Sequence, residues 1–130
     1  KATMSSDELI ITADTIVYVD GEVLGKPQNK IDAARMLKMI SGKCHDVITG
    51  VCLLTSNKRI SFSVKTKVSF AQITDDEISF YIENYKPYDK AGAYGIQEWI
   101  GYIGVDSIQG SYFNVMGLPV QRLYSELKNI

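Results

Sequence analysis

The sequence predicts a mixed α/β fold, and three observations carry that expectation. Two alternating apolar stretches, His45–Thr55 and Arg59–Phe70, flank the turn-forming Ser56-Asn57-Lys58 and read as an antiparallel hairpin. Between Asn29 and Gly42 the apolar spacing changes to that of a helix, with Ile31, Ala34, Met36, Leu37 and Ile40 on one face. Thr74-Asp75-Asp76-Glu77 is a capping box, in which hydroxyl and carboxylate satisfy backbone N–H groups at a helix start.

The remaining elements follow in chain order. Glu8–Val19 reads as a largely buried strand, with apolar runs on both sides of a polar notch, Thr12-Ala13-Asp14-Thr15. Asp20-Gly21 is a turn dipeptide, and Gly25-Lys26-Pro27 is a second loop. The helix opened by the capping box carries Ile78, Tyr81, Ile82 and Tyr85 on one face, and Pro87 stops it. Asp89–Gln97 is a polar, Gly-containing loop. Trp99–Val105 reads as a strand and Phe113–Leu118 as a short apolar stretch. Pro119 starts a last helix, with Val120, Leu123, Tyr124 and Leu127 on its face.

Bulk properties limit the function classes. The 130 residues suit one domain, long enough to bury a core without disulfides. Fourteen basic and fifteen acidic residues give a net charge of -1, so no global basic field favours a nucleic-acid backbone. No apolar run reaches the roughly 20 residues that span a bilayer. Cys44 and Cys52, with the single His45, complete no zinc set, and independence from disulfides fits a reducing cytoplasm. Cys52 is expected to be a buried strand residue.

Four segments can carry chemistry. Asp14 interrupts an apolar strand, where a buried carboxylate costs several kcal/mol unless a cation compensates; a hydrogen-bonding Asp at a strand end is the plain alternative. Lys26, rigidly placed between Gly25 and Pro27, suits phosphate as a point charge, although a solvated loop lysine has the same appearance. Asp89-Lys90-Ala91-Gly92-Ala93-Tyr94-Gly95-Ile96-Gln97 offers a carboxylate, an ammonium, glycines whose N–H groups can cradle oxyanions, and an amide able to read a base edge. A structural turn with a surface ion pair explains the same residues. Ser111 and Asn114, within Gly110–Pro119, read as structural.

Taken together, these segments closely resemble the Maf family, also called septum-formation proteins. The matching residues are Ala13-Asp14-Thr15 with Gly25-Lys26-Pro27, then Ser41-Gly42 with His45, Val47, Thr49 and Gly50. Asp89 through Gln97 follows, then Gly110-Ser111-Tyr112 with Asn114, Val115, Gly117, Leu118 and Pro119. They occur in family order and cover nearly the whole chain.

The resemblance implies a twisted mixed sheet flanked by helices, similar to inosine triphosphate pyrophosphatases, with a cleft between two lobes. It implies a house-cleaning, cytoplasmic hydrolase that cuts nucleoside triphosphates to the monophosphate and pyrophosphate with Mg²⁺ or Mn²⁺. Asp14 takes the place of the catalytic proton acceptor and a metal ligand, Thr15 and Gln97 of residues tied to substrate choice. Lys26, Asp89 and Lys90 take the places of residues beside the phosphates. The intact Asp89–Gln97 string is similar to the branch acting on dTTP and UTP. A homodimer is implied, and the septum name suggests the alternative of a non-catalytic nucleotide sensor that restrains cell division. A structural interaction domain is a third class. The family also has an N-terminal strand and a Ser-rich, Arg-Arg phosphate loop with a metal-binding Glu. None of these precedes Lys1, so the expectation is a single domain over 1–130, incomplete at its N-terminal side, with Lys1 and Ala2 resembling the tail of a helix.

Overall fold

The computed structural model describes residues 8–130. The expected helix tail at Lys1 and Ala2 lies outside the described residues.

Five strands form one sheet in the order β2-β1-β3-β4-β5: β1 (Ile10–Val19), β2 (Glu22–Leu24), β3 (Cys44–Leu54), β4 (Arg59–Phe70) and β5 (Val105–Gln109). Each pairing among the described residues is antiparallel. The Asp20-Gly21 turn joins β1 to β2 with positive φ at both residues, the twist that suits a two-residue hairpin. Among the described residues, five α-helices complete the fold: α1 (Lys30–Ile40), α2 (Asp75–Tyr85), α3 (Trp99–Gly104), α4 (Tyr112–Met116) and α5 (Val120–Leu127). The mixed α/β expectation holds. The Thr74 capping box forms both of its hydrogen bonds, Glu77 N–H to Thr74 Oγ1 at 3.1 Å and Thr74 N–H to Glu77 Oε1 at 2.8 Å.

The long strands bury one face. Val47, Thr49, Val51 and Leu53 alternate inward along β3, and Thr66, Val68 and Phe70 do so on β4. The opposite face, with Tyr18, Lys65 and Lys67, is open, and Lys67 reaches its cross-strand partner Asp46 at 3.5 Å. Two apolar clusters share the buried face. The larger joins Val17, Val47, Val68 and Phe70 to α1, α2 and Ile100 of α3. The smaller joins Val51 and Leu53 to Leu123 of α5. Between them runs a polar seam of Thr49, Thr66 and Asn114, all fully buried.

Asn114 holds that seam together. Its Nδ2 group donates towards Val47 O (3.2 Å), Val64 O (3.0 Å) and Thr66 Oγ1 (3.0 Å), tying α4 to β3 and β4. Ser111 Oγ caps α4 by accepting from Asn114 N–H at 3.1 Å. The structural reading of Ser111 and Asn114 is therefore correct.

Several expectations need correction. Trp99–Gly104 is helix α3, not a strand, and the strand begins only at Val105. Short apolar runs do not separate helix from strand by period alone. Here Gly101 fits because an added Cβ would lie 1.8 Å from the Ile96 carbonyl oxygen, so only glycine lets the turn close. In α1 the buried stripe is Ala33, Met36, Leu37 and Ile40, with i, i+3, i+4, i+7 spacing, whereas Ile31 lies off it and is 82% exposed. In α5 Leu123 is the buried contact. Val120 and Tyr124 point outward, and the Tyr124 ring instead faces the Lys128 ammonium at 5.1 Å. Cys52 is half-buried on the open face rather than in the core, and both cysteines are free.

Asn114→Ala should leave two buried acceptors and one part-buried acceptor without this donor and lower stability by about 2–3 kcal/mol, read as a reduced urea midpoint with an unchanged slope.

Candidate active site

A cavity of about 340 Å³ opens where the polar seam meets β1. Its size falls within the range of small-molecule sites. Asp14, Thr15, Lys26, Asp89, Lys90 and Gln97 all line it, so the structure brings together every candidate residue from three separate stretches of chain. Val115, Met116 and Gly117 of the α4 end close one wall, and Tyr94 contributes to another.

Each side chain is placed by a definable local cause. Asp14 borders the cavity on β1 below the segment Val17–Val19, the only part of β1 that β2 pairs. Contrary to the sequence expectation, it is exposed. It shares this with the whole run Glu8–Asp14, every residue of which is exposed, so the largely buried strand expected over Glu8–Val19 is buried only at Val17 and Val19; beside Asp14 the sheet carries Gly50, which has no side chain, and the small Ser63. Burial cost is therefore no reason to demand a cation at Asp14. What singles it out is the company it keeps.

Thr15 points the other way, into the seam. Its hydroxyl lies 2.9 Å from Thr49 Oγ1, which donates onward to the Asn114 carbonyl at 3.3 Å. Lys26 sits in the loop after β2, and Gly25 O accepts from Gly92 N–H at 3.1 Å, stitching this loop to Asp89–Gln97. Gly92 has φ +70, and a Cβ there would lie 2.8 Å from Val17 Cγ2. Both facts require glycine, and the close approach seats the loop against β1.

The charges around the cavity are set by short-range contacts. Lys90 Nζ lies 3.3 Å from Asp89 Oδ1 and 4.0 Å from Glu98 Oε2. Its hydrogen bond to Asp89 is the main cause holding that exposed carboxyl below the usual range, with a weaker attraction from Lys26. The loop is fixed from beneath by two tyrosines. Tyr94 Oη lies 2.6 Å from His45 Nε2, and the rings of Tyr94, His45 and Phe70 pack edge to face or tilted. Tyr81 Oη donates to Glu98 Oε1 at 2.5 Å and accepts from Gly95 N–H at 3.0 Å. Burial, then the Glu98 carboxylate, push the Tyr81 hydroxyl above its ordinary range, so it stays protonated. Nothing in the sequence singled out Glu98 or paired it with Tyr81, because the contact spans 17 positions and has no motif.

The described residues contain no group of three His, Cys, Asp or Glu side chains able to cage a metal by themselves. Asp14 and Asp89 both line the cavity. Carboxylates are the hard oxygen donors that a divalent cation such as Mg²⁺ or Mn²⁺ would take.

Residues 1–130 match the profile of the family described as Maf-like protein. The chain belongs to the Maf-like family. It is 66% identical over 130 residues to the dTTP/UTP pyrophosphatase of Phocaeicola vulgatus, covering 100% of this chain and 67% of that protein. The protein of the same name from Parabacteroides distasonis is 60% identical over 129 residues, covering 99% and 67%. That from Bacteroides thetaiotaomicron is 55% identical over 130 residues, covering 100% and 67%. The chain thus spans about two thirds of the length of these relatives. No helix among the described residues is long and apolar enough to cross a membrane.

His45 gives this Maf-like domain a definite acid sensitivity. Burial lowers its pKa from the usual 6.5 to about 4, so it is neutral in the fold. Between those values the unfolded chain binds a proton that the folded chain refuses. The stabilisation is complete above pH 6.5 and is lost as the pH falls towards 4. The loss should be on the order of 3 kcal/mol. Urea unfolding across this window should show the decline, and His45→Phe should flatten it.

Proposed function

We propose that the protein is a nucleoside triphosphate pyrophosphatase acting on dTTP and UTP, releasing the monophosphate and pyrophosphate. The observation that carries this reading is the convergence of Asp14, Thr15, Lys26, Asp89, Lys90 and Gln97 on one cavity, from stretches of chain far apart in sequence. The names of the relatives favour turnover over a non-catalytic sensor.

The chemistry follows from charge. A triphosphate brings about four negative charges, and Lys26 and Lys90 offer cations on two sides of the cavity. Lys26 makes no hydrogen bond or ion pair among the described residues, so its ammonium is available to an anion. Asp14 accepts the proton of the attacking water as its oxygen bonds to the α-phosphorus. The bond from the α-phosphorus to the bridging oxygen breaks, and pyrophosphate leaves with that oxygen. Asp14 would also help hold Mg²⁺ or Mn²⁺, which when bound supplies further positive charge to the phosphates. Gln97 offers both a donor and an acceptor to a pyrimidine edge, and Thr15 borders the same space. A cytoplasmic location suits this reading, since that compartment holds nucleotide pools and keeps thiols such as Cys44 and Cys52 reduced.

Asp14→Asn in the full-length protein should reduce kcat for UTP by roughly 100-fold or more while the far-UV circular dichroism and thermal midpoint stay near the parent's, because the side chain is exposed and isosteric. Retained turnover would remove Asp14 from the mechanism. In ¹⁸O-water the label should enter the monophosphate, and label in pyrophosphate would contradict attack at the α-phosphorus.

A further inference from the structure

We propose that Tyr81 and Glu98 form a clamp that positions Gln97 and so sets the base preference of the cleft. This deepens the reading above and rests on Gln97 facing the nucleobase.

Gln97 sits in the four-residue turn Gly95-Ile96-Gln97-Glu98. Three hydrogen bonds close a ring around that turn. Glu98 N–H donates to Gly95 O at 3.0 Å. Gly95 N–H donates to Tyr81 Oη at 3.0 Å, and Tyr81 Oη–H donates to Glu98 Oε1 at 2.5 Å. The phenol thus holds both ends of the turn at once. Gly95 and Ile96 are buried and Glu98 is half-buried, whereas Gln97 is exposed and lines the cavity. The ring therefore fixes the residues on either side of Gln97 and leaves its amide alone to meet a ligand.

Two features show that the hydroxyl is directed at the turn. Tyr81 is fully buried in α2, and its oxygen bonds to the turn twice, accepting from Gly95 N–H and donating to Glu98. The second Glu98 oxygen faces Lys90 Nζ at 4.0 Å. The Lys90 chain crosses Gly95 so closely that a Cβ there would lie 2.7 Å from Lys90 Cε. One carboxylate therefore spaces the base-facing amide from the phosphate-facing ammonium. An amide that must meet a pyrimidine edge within hydrogen-bonding distance tolerates little backbone drift, and a site built on hydrogen bonding discriminates through such placement. Tyr81 and Glu98 are positioning residues that touch no substrate atom.

The test is steady-state kinetics of the full-length protein with Mg²⁺, comparing kcat/KM for UTP and dTTP with that for CTP and GTP. Gln97→Ala should lower this ratio. Tyr81→Phe removes only the hydroxyl and should lower it by roughly threefold or more. Glu98→Ala should act alike, while Glu98→Gln, whose amide oxygen still accepts from Tyr81, should restore most of the preference. In a Gln97→Ala background Tyr81→Phe should cause no further loss, since its effect passes through Gln97. A merely structural pair would shift the thermal midpoint and leave the ratio unmoved. The clamp is overturned if Gln97→Ala alters the ratio but Tyr81→Phe and Glu98→Ala do not, or if Glu98→Gln is as defective as Glu98→Ala. Should Tyr81→Phe fail to fold, the Glu98→Ala and Glu98→Gln pair decides. If Gln97→Ala itself leaves the ratio unchanged, base reading by Gln97 fails, and the clamp falls with it.

Discussion

The seating of the Asp89–Gln97 loop against β1 is the constraint on which the candidate site depends. Gly92 lets the backbone rest on Val17, and its N–H group bonds to the loop that carries Lys26. Tyr94 and Tyr81 hold the same loop from the core side, through His45 and Glu98. Only with the loop so placed do Asp89, Lys90 and Gln97 share a cavity with Asp14 and Lys26. Its stability comes from the core that the tyrosines enter, not from the surface ion pair of Lys90 with Asp89, which is solvated and weak.

The cavity lies beside an interruption in the buried face of the sheet. Thr49 stands between Val47 and Val51, and Asn114 meets it from α4. Buried polar groups of this kind must be satisfied by partners, which fixes where α4 can sit. The walls supplied by Val115, Met116 and Gly117 follow from that placement. The same seam supports Thr15 through Thr49, so a residue at the cavity rim is tied to the interior of the fold.

Much of the fold was legible because local physics dictated it. Alternation marks β3 and β4, the Thr74 capping box marks the start of α2, and Asp20-Gly21 marks a turn, although the three-residue strand β2 after it is too short to show a period. Trp99–Gly104 was illegible as a helix because six mostly apolar residues carry no readable period, and the deciding contact is between Gly101 and the Ile96 carbonyl. Ile31 and Tyr124 misled for a related reason: their apolar character matches a helix face, but the partner surfaces end before reaching them. The site residues were found through motifs and resemblance. Asp14 is not buried because the whole run Glu8–Asp14 lies exposed, Ile10 and Ile11 included, and an apolar run does not show which part of a strand another layer covers. Glu98 stayed hidden because only the folded loop brings it to Tyr81.

The central claim is that one cleft receives the whole nucleotide, with phosphates and base at opposite sides of the Asp89–Gln97 loop. Its most direct measurement is a crystal structure of the full-length protein with Mg²⁺ and a UTP analogue whose α,β-bridging oxygen is replaced by nitrogen. The expected result has the phosphates between Lys26 and Lys90, the α-phosphorus facing Asp14 and the uracil edge meeting Gln97. A nucleotide bound outside this cleft, or with its base turned towards the lysines, would contradict it.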